Sequence, residues 1–211
     1  AYGWLMLAGV LFSLAFWWRQ ARRDERLLVI YLLGLGGAFV GAKLVYLAAE
    51  GWLHWHDPNR WVIEATGKSI TGALLGGYAG DEWAKRLTRY DRATGDRFAL
   101  IAPVGIAVGR IGCILHGCCL GRECGPAWMR VADSTGVARW PAAGMELGFN
   151  LGALAIILVL RRGRRRAEQH GQRECVAYGI FRFTHEFMRD TPRLLGPLAG
   201  YQLASVAVAA L

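Results

Sequence analysis

Charge is what this sequence has little of. Of its 211 residues, 19% are Asp, Glu, Lys or Arg while 54% are hydrophobic; ordinary soluble domains carry about 25% charge. The sparse charges are also unevenly placed. They gather at Arg19 to Arg26, Asp81 to Arg97 and Arg161 to Arg173, and the run from Phe98 to Val108 has none. A soluble globular domain is excluded by this layout, which is that of a polytopic membrane protein. Repeats, low-complexity tracts and long linkers are also missing, so the chain reads as a single transmembrane domain over residues 1–211. Acidic residues are the scarcer sign, sixteen against twenty-five Lys and Arg, for a net charge of +9. Because the basic clusters border apolar runs, the anionic neighbour they imply is a lipid headgroup and not nucleic acid. No small-residue cleavage site follows the apolar Ala1 to Trp18, and Arg19-Gln20-Ala21-Arg22-Arg23 has the character of a cytoplasmic flank. That segment is expected to be a retained span.

Seven spans fit, at about 2–18, 27–49, 63–80, 98–119, 141–160, 174–190 and 194–211, for roughly 20 residues per crossing. The third is the weakest, interrupted by Lys68 and rich in glycine at Gly72, Gly76, Gly77 and Gly80. The loops between alternate in basic charge. Residues 19–26, 81–97 and 161–173 hold fifteen Lys and Arg, whereas 50–68, 120–139 and 189–193 hold seven. Positive charge stays inside, so the expected fold is an all-α bundle of about seven transmembrane helices, N-terminus outside and C-terminus cytoplasmic. Glycines spaced by four, such as Gly37 and Gly41 or Gly72, Gly76 and Gly80, let helix backbones approach closely in lipid.

Two apolar segments carry arginine. The first, Gly109-Arg110-Ile111-Gly112-Cys113, ends a span, and a guanidinium there must face the protein interior or snorkel to the interface. In the second, Tyr178, Arg182, Glu186 and Arg189 recur at i, i+4, i+8 and i+11 and so share one helical face, with His185 beside them. Arg182 and Glu186 form either a neutralised structural pair or part of an anion site, since the planar arginine fork suits phosphate. If Arg110 and Arg182 converge, they make a dication fitted to a phospholipid headgroup.

Cys113, Cys118, Cys119 and Cys124 lie within twelve residues, with His116 among them. Their C-x4-C-C-x4-C spacing is not the short zinc hairpin, so no metal is expected. A disulfide, a nucleophile activated by His116 or Arg122, and buried apolar cysteines all remain open. Cys175 reads as a small buried residue, and no cofactor is implied.

These motifs together resemble the bacterial prolipoprotein diacylglyceryl transferase family. The resemblance rests on Gly109-Arg110-Ile111-Gly112 with Gly117 and Gly121-Arg122, and on Tyr178-Gly179-x-x-Arg182-Phe183-x-x-Glu186-Phe187-x-Arg189. Tyr2-Gly3, Ser69-Ile70-Thr71-Gly72-Ala73-Leu74-Leu75-Gly76, Pro141 and Glu146 extend it over nearly the whole chain. It implies a multi-pass enzyme of the bacterial inner membrane that moves the diacylglyceryl group of phosphatidylglycerol, or a related anionic phospholipid, to a cysteine thiol and releases glycerol phosphate. The acceptor is then a lipobox-containing prolipoprotein or a small-molecule thiol. Carried over, Arg110 and Arg182 bind the phosphate, while Tyr2, Thr71, Gly121, Glu146, Tyr178, Glu186 and Arg189 shape the site. Departures accompany the match. Thr71 stands where the family has histidine, Cys113 where it has asparagine, and Cys118 where it has glutamate, which makes Cys118, Cys119, His116 and Glu186 the candidates for the chemistry. Two other readings use the same scaffold: a thiol-redox or metal-handling membrane protein, and a non-catalytic lipid-binding or transport protein.

Overall fold

The computed structural model describes residues 2–124, 129–162 and 170–211. The side chain of Tyr2 and most of the basic loop after residue 162 lie outside what is described. Eight α-helices are present among the described residues: α1 (Tyr2–Ala21), α2 (Arg26–Ala49), α3 (Arg60–Thr66), α4 (Ile70–Thr88), α5 (Gly95–His116), α6 (Ala142–Arg162), α7 (His170–His185) and α8 (Gly200–Ala209). Two short antiparallel hairpins accompany them, β1 (Val131–Ala132) with β2 (Ala138–Arg139), and β3 (Arg193–Leu195) with β4 (Leu198–Ala199). Among the described residues α2, α5 and α6 are long and apolar enough to cross a membrane. Large apolar side chains stand exposed along them, including Phe39, Leu44, Ile111, Leu115, Ile156 and Val159, as expected of surfaces solvated by lipid.

The chain divides into two compact units. One comprises Trp17–Arg92, Cys175–Glu186 and Thr191–Leu211. Its spine is the crossing of α2 and α4, where glycine meets glycine: a Cβ on Gly41 would lie 2.8 Å from Gly76 Cα. Backbones this close gain van der Waals and weak Cα–H contacts that larger residues would prevent. The weak third span is resolved as a break. α3 ends at Gly67, whose backbone is extended, and α4 restarts at Ile70. Lys43 of α2 makes the break tolerable in apolar surroundings, donating from Nζ to the carbonyls of Glu64, of Ala65 at 3.2 Å and of Gly67 at 3.0 Å. A cation on the orphan carbonyls of a helix end satisfies them and complements the dipole. Ser69 caps the new helix, its hydroxyl accepting from the Gly72 amide at 3.2 Å.

The segment expected as a seventh span folds otherwise. Gly196, with φ +56, turns β3 into β4, and α8 that follows has ten residues, about 15 Å of helix. Gly179 of α7 seats against it, since a Cβ there would meet Ser205 O at 2.7 Å.

The other unit comprises Ala1–Phe16, Ala93–Glu174 and Phe187–Asp190. α5 packs along α6, and the loop between them forms β1 and β2 around Asp133, whose carboxylate accepts from the amides of Thr135 and Val137 at 2.9 and 3.0 Å. Residues 187–190 return to this loop, so that Gly121 and Arg189 form a bridge and the Arg122 amide donates to Met188 O at 2.9 Å.

Candidate anion-binding site

Arg110 sits in the last two turns of α5 and is buried, 7% exposed. Its Nη2 lies 2.7 Å from Oε2 of Glu146, a carboxylate with no exposed surface on the first turns of α6. Asn150, one turn on, donates to the Glu146 carbonyl at 2.7 Å. The Arg110 guanidinium therefore faces the protein interior, and the snorkelling alternative is removed.

In the other unit Arg182 is buried on α7, with Nη1 2.5 Å from Glu186 Oε2 and 3.3 Å from His185 Nδ1. Thr191 donates to the second oxygen of Glu186 at 2.7 Å. Because guanidinium nitrogens only donate, Nδ1 of His185 accepts, which fits a neutral ring carrying its proton on Nε2. His185 also stacks on Phe181 at 5.0 Å, and Tyr178, 2% exposed, lies one turn earlier. The expected face therefore holds for Tyr178, Arg182 and Glu186.

Arg189 departs from that face. α7 gives way to a 3₁₀ turn at Glu186–Met188, which breaks the 3.6-residue register. Arg189 belongs instead to the Gly121 bridge, near Cys119. Gly121 is itself held tightly: a Cβ there would meet Trp140 Cβ at 2.7 Å. Thr71, 1% exposed, shares a 2.8 Å hydrogen bond with Ser69 Oγ at the start of α4, a position that orders the helix terminus.

The cysteines divide. Sγ atoms of Cys113, Cys118 and Cys119 all lie within 4.8 Å of one another, and no described cysteine is disulfide-bonded. Cys124 and His116 stand outside that group, and His116 is exposed on the last turn of α5. Beyond the end of α5, Cys119 is pushed down to about 5 by the hydrogen bond from the Cys113 thiol and by the guanidinium groups of Arg110 and Arg189.

Three groups escaped sequence reasoning. Lys43 is a lone charge in the apolar run of α2, and Asn150 a lone amide among the apolar residues of α6. Arg139 gathers Asp133 at 2.7 Å and Glu123 and Asp190 at 3.6 Å each. Only the Asp133-Ser134-Thr135-Gly136 turn signal hinted at that last arrangement.

Comparison with known families matches residues 1–211 to the family described as prolipoprotein diacylglyceryl transferase. Relatives named phosphatidylglycerol–prolipoprotein diacylglyceryl transferase include one from Paracidovorax citrulli, 31% identical over 180 residues, covering 81% of this chain and 66% of that protein. One from Vibrio vulnificus is 28% identical over 214 residues, 95% of this chain and 78% of the relative. A third, from Pseudoalteromonas atlantica, is 29% identical over 212 residues, 94% and 74% of the two chains. The alignment with the first of these thus spans just under two thirds of that relative's length.

Proposed function

Because this chain belongs to the prolipoprotein diacylglyceryl transferase family, we propose that it is a membrane-embedded transferase of the bacterial inner membrane that moves diacylglyceryl from phosphatidylglycerol to the thiol of a prolipoprotein cysteine. The observation that carries this reading is a pair of buried arginines, Arg110 in the apolar α5 and Arg182 in the amphipathic α7, each gripped by a buried carboxylate, Glu146 for Arg110 and Glu186 for Arg182. Intramembrane charges held inward mark substrate sites, and an arginine fixed by its carboxylate presents its donors without reorganising.

In the transfer, the acceptor sulfur bonds to the glyceryl carbon as that carbon's bond to the phosphate oxygen breaks. The thiol gives up its proton to solvent, and glycerol phosphate departs with one more negative charge than the diester carried. Arg110 and Arg182, each held by the carboxylate of its own unit, offer donors suited to the phosphate and to that added charge. Glu146, Glu186 and His185 position the two guanidinium groups. Thr71 has no basic group to offer at the family's histidine position. Direct displacement forms no covalent enzyme intermediate, so Cys118 and Cys119 are not needed as nucleophiles in it. The charge asymmetry of the loops assigns residues 120–139 to the outer face, where a secreted precursor would arrive.

The test incubates the purified chain in detergent with phosphatidylglycerol and a lipobox peptide, with mass spectrometry of the peptide and of released glycerol phosphate. Diacylglyceryl-peptide forms with phosphatidylglycerol and not with zwitterionic phosphatidylethanolamine. Equal yield from the two lipids, or unchanged yield in R110Q and R182Q, overturns the assignment.

A further inference from the structure

The apolar run of α5 stops at Gly117, which takes a left-handed conformation, φ +68, and the Cys118 amide then bonds back to Cys113 O at 3.0 Å. This is the helix-ending wrap in which the chain turns over its own last turn. Two residues on, Cys119 is left-handed as well, φ +60, although it is not glycine. A non-glycine residue held there stores strain and persists when its surroundings fix it. The two left-handed residues reverse the chain onto the end of α5 and bring Cys118 and Cys119 back to Cys113, with all three sulfurs within 4.8 Å. Spacing along the sequence argued against a metal; the double reversal creates a convergence that spacing alone does not reveal.

The donor set is three sulfurs and no more. Among the described residues no His, Asp, Glu or further Cys joins the group. A cation bonded equally to three thiolates at about 2.3 Å holds the sulfurs about 4 Å apart, within the separation found. Thiolate ligands select soft d10 ions, and zinc closes its structural sites with four ligands. A trigonal set of sulfurs suits Cu(I). Binding requires the thiolate form, so an entering cation displaces the thiol protons. Arg110 Nη1 donates to Cys113 Sγ at 3.8 Å, and guanidinium charge also offsets the negative charge that a tris-thiolate complex of a monovalent ion retains.

We propose that Cys113, Cys118 and Cys119 form a three-thiolate binding site for a soft monovalent cation, Cu(I). Three Cu–S bonds form, any ligand still protonated releases its proton to solvent, and neither metal nor sulfur changes oxidation state. The site shares Arg110 with the transferase reading, but metal binding is read without turnover, so each can fail alone.

The test titrates the reduced, full chain in detergent anaerobically with Cu(I) against a chromophoric Cu(I) chelator. One Cu(I) per chain binds, and X-ray absorption shows a shell of three sulfurs. C113S, C118S and C119S each weaken Cu(I) binding by more than about a hundredfold, beyond the loss that removal of an outer partner causes. C124S and C175S bind as the unaltered chain does. A second readout needs no variant: bound Cu(I) protects Cys113, Cys118 and Cys119 from maleimide, mapped by peptide mass spectrometry, and leaves Cys124 reactive. Undiminished Cu(I) binding in the triple C113S/C118S/C119S variant, a two-sulfur shell, tighter uptake of Zn(II) in a four-ligand shell, or absence of thiol protection overturns the proposal.

Discussion

Replacing Glu146 by Gln removes one charge from the Arg110 pair and almost nothing else. The side chains keep the same shape, the Nη2–Oε2 separation is 2.7 Å, and the two are 8% and 0% exposed, so solvent screens the attraction little. Removing one member of a buried pair costs about 3–5 kcal/mol, because the remaining charge keeps its desolvation penalty. That is two to four decades in the unfolding equilibrium at about 1.4 kcal/mol per decade. R110Q pays the same penalty from the carboxylate side. The double variant R110Q/E146Q carries no buried charge and recovers most of either loss, which gives a coupling of at least about 2 kcal/mol in a double-mutant cycle. Reversible denaturation in mixed detergent micelles measures all four chains. Phosphatidylglycerol adds a functional arm, since its phosphate replaces the lost carboxylate beside Arg110 and stabilises E146Q more than the unaltered chain. Losses that add within about 0.5 kcal/mol would refute the pairing, and equal rescue by diacylglycerol, which has no phosphate, would refute the phosphate role.

Arg182→Lys should cut turnover strongly with little change in stability, since a point charge cannot hold phosphate through two parallel donors; single-turnover rates measure it, and wild-type rates would refute it. Gly41→Ala sets a Cβ 2.8 Å from Gly76 Cα, so α2 and α4 must part at a cost of about 1–3 kcal/mol, and an unchanged denaturation midpoint would contradict the crossing. With its thiol pushed down to about 5, Cys119 is thiolate throughout neutral pH; its iodoacetamide rate should be flat between about pH 6 and pH 7, where free cysteine, near 8.5, speeds up tenfold. Asp133 is held well below the usual carboxylate range by hydrogen bonds from Thr135 and Arg139. A lowered value contributes stability above the unfolded pKa that is lost as pH falls through the folded one. The β1–β2 hairpin should therefore survive mild acid and lose amide-exchange protection only well below about pH 4, whereas D133N loses it at neutral pH.

The sequence by itself determined that long apolar helices carry this chain, because a hydrophobic run free of charge has no other way to satisfy its backbone in lipid. It also marked Arg110 and Arg182, since a guanidinium inside such a run is too costly to be incidental, and the i, i+4 spacing gave Glu186 as the partner of Arg182. Glu146 is different: it lies 36 positions from Arg110 along the chain, and only the packing of α5 on α6 makes it the partner. Arg189 left the face its spacing assigned because a 3₁₀ turn changes the angular step per residue, which no count along the chain reveals. The break before α4 depended on Lys43 reaching carbonyls across to another helix. The three cysteines met because Gly117 and Cys119 take left-handed conformations, a choice of backbone torsion that residue spacing does not encode.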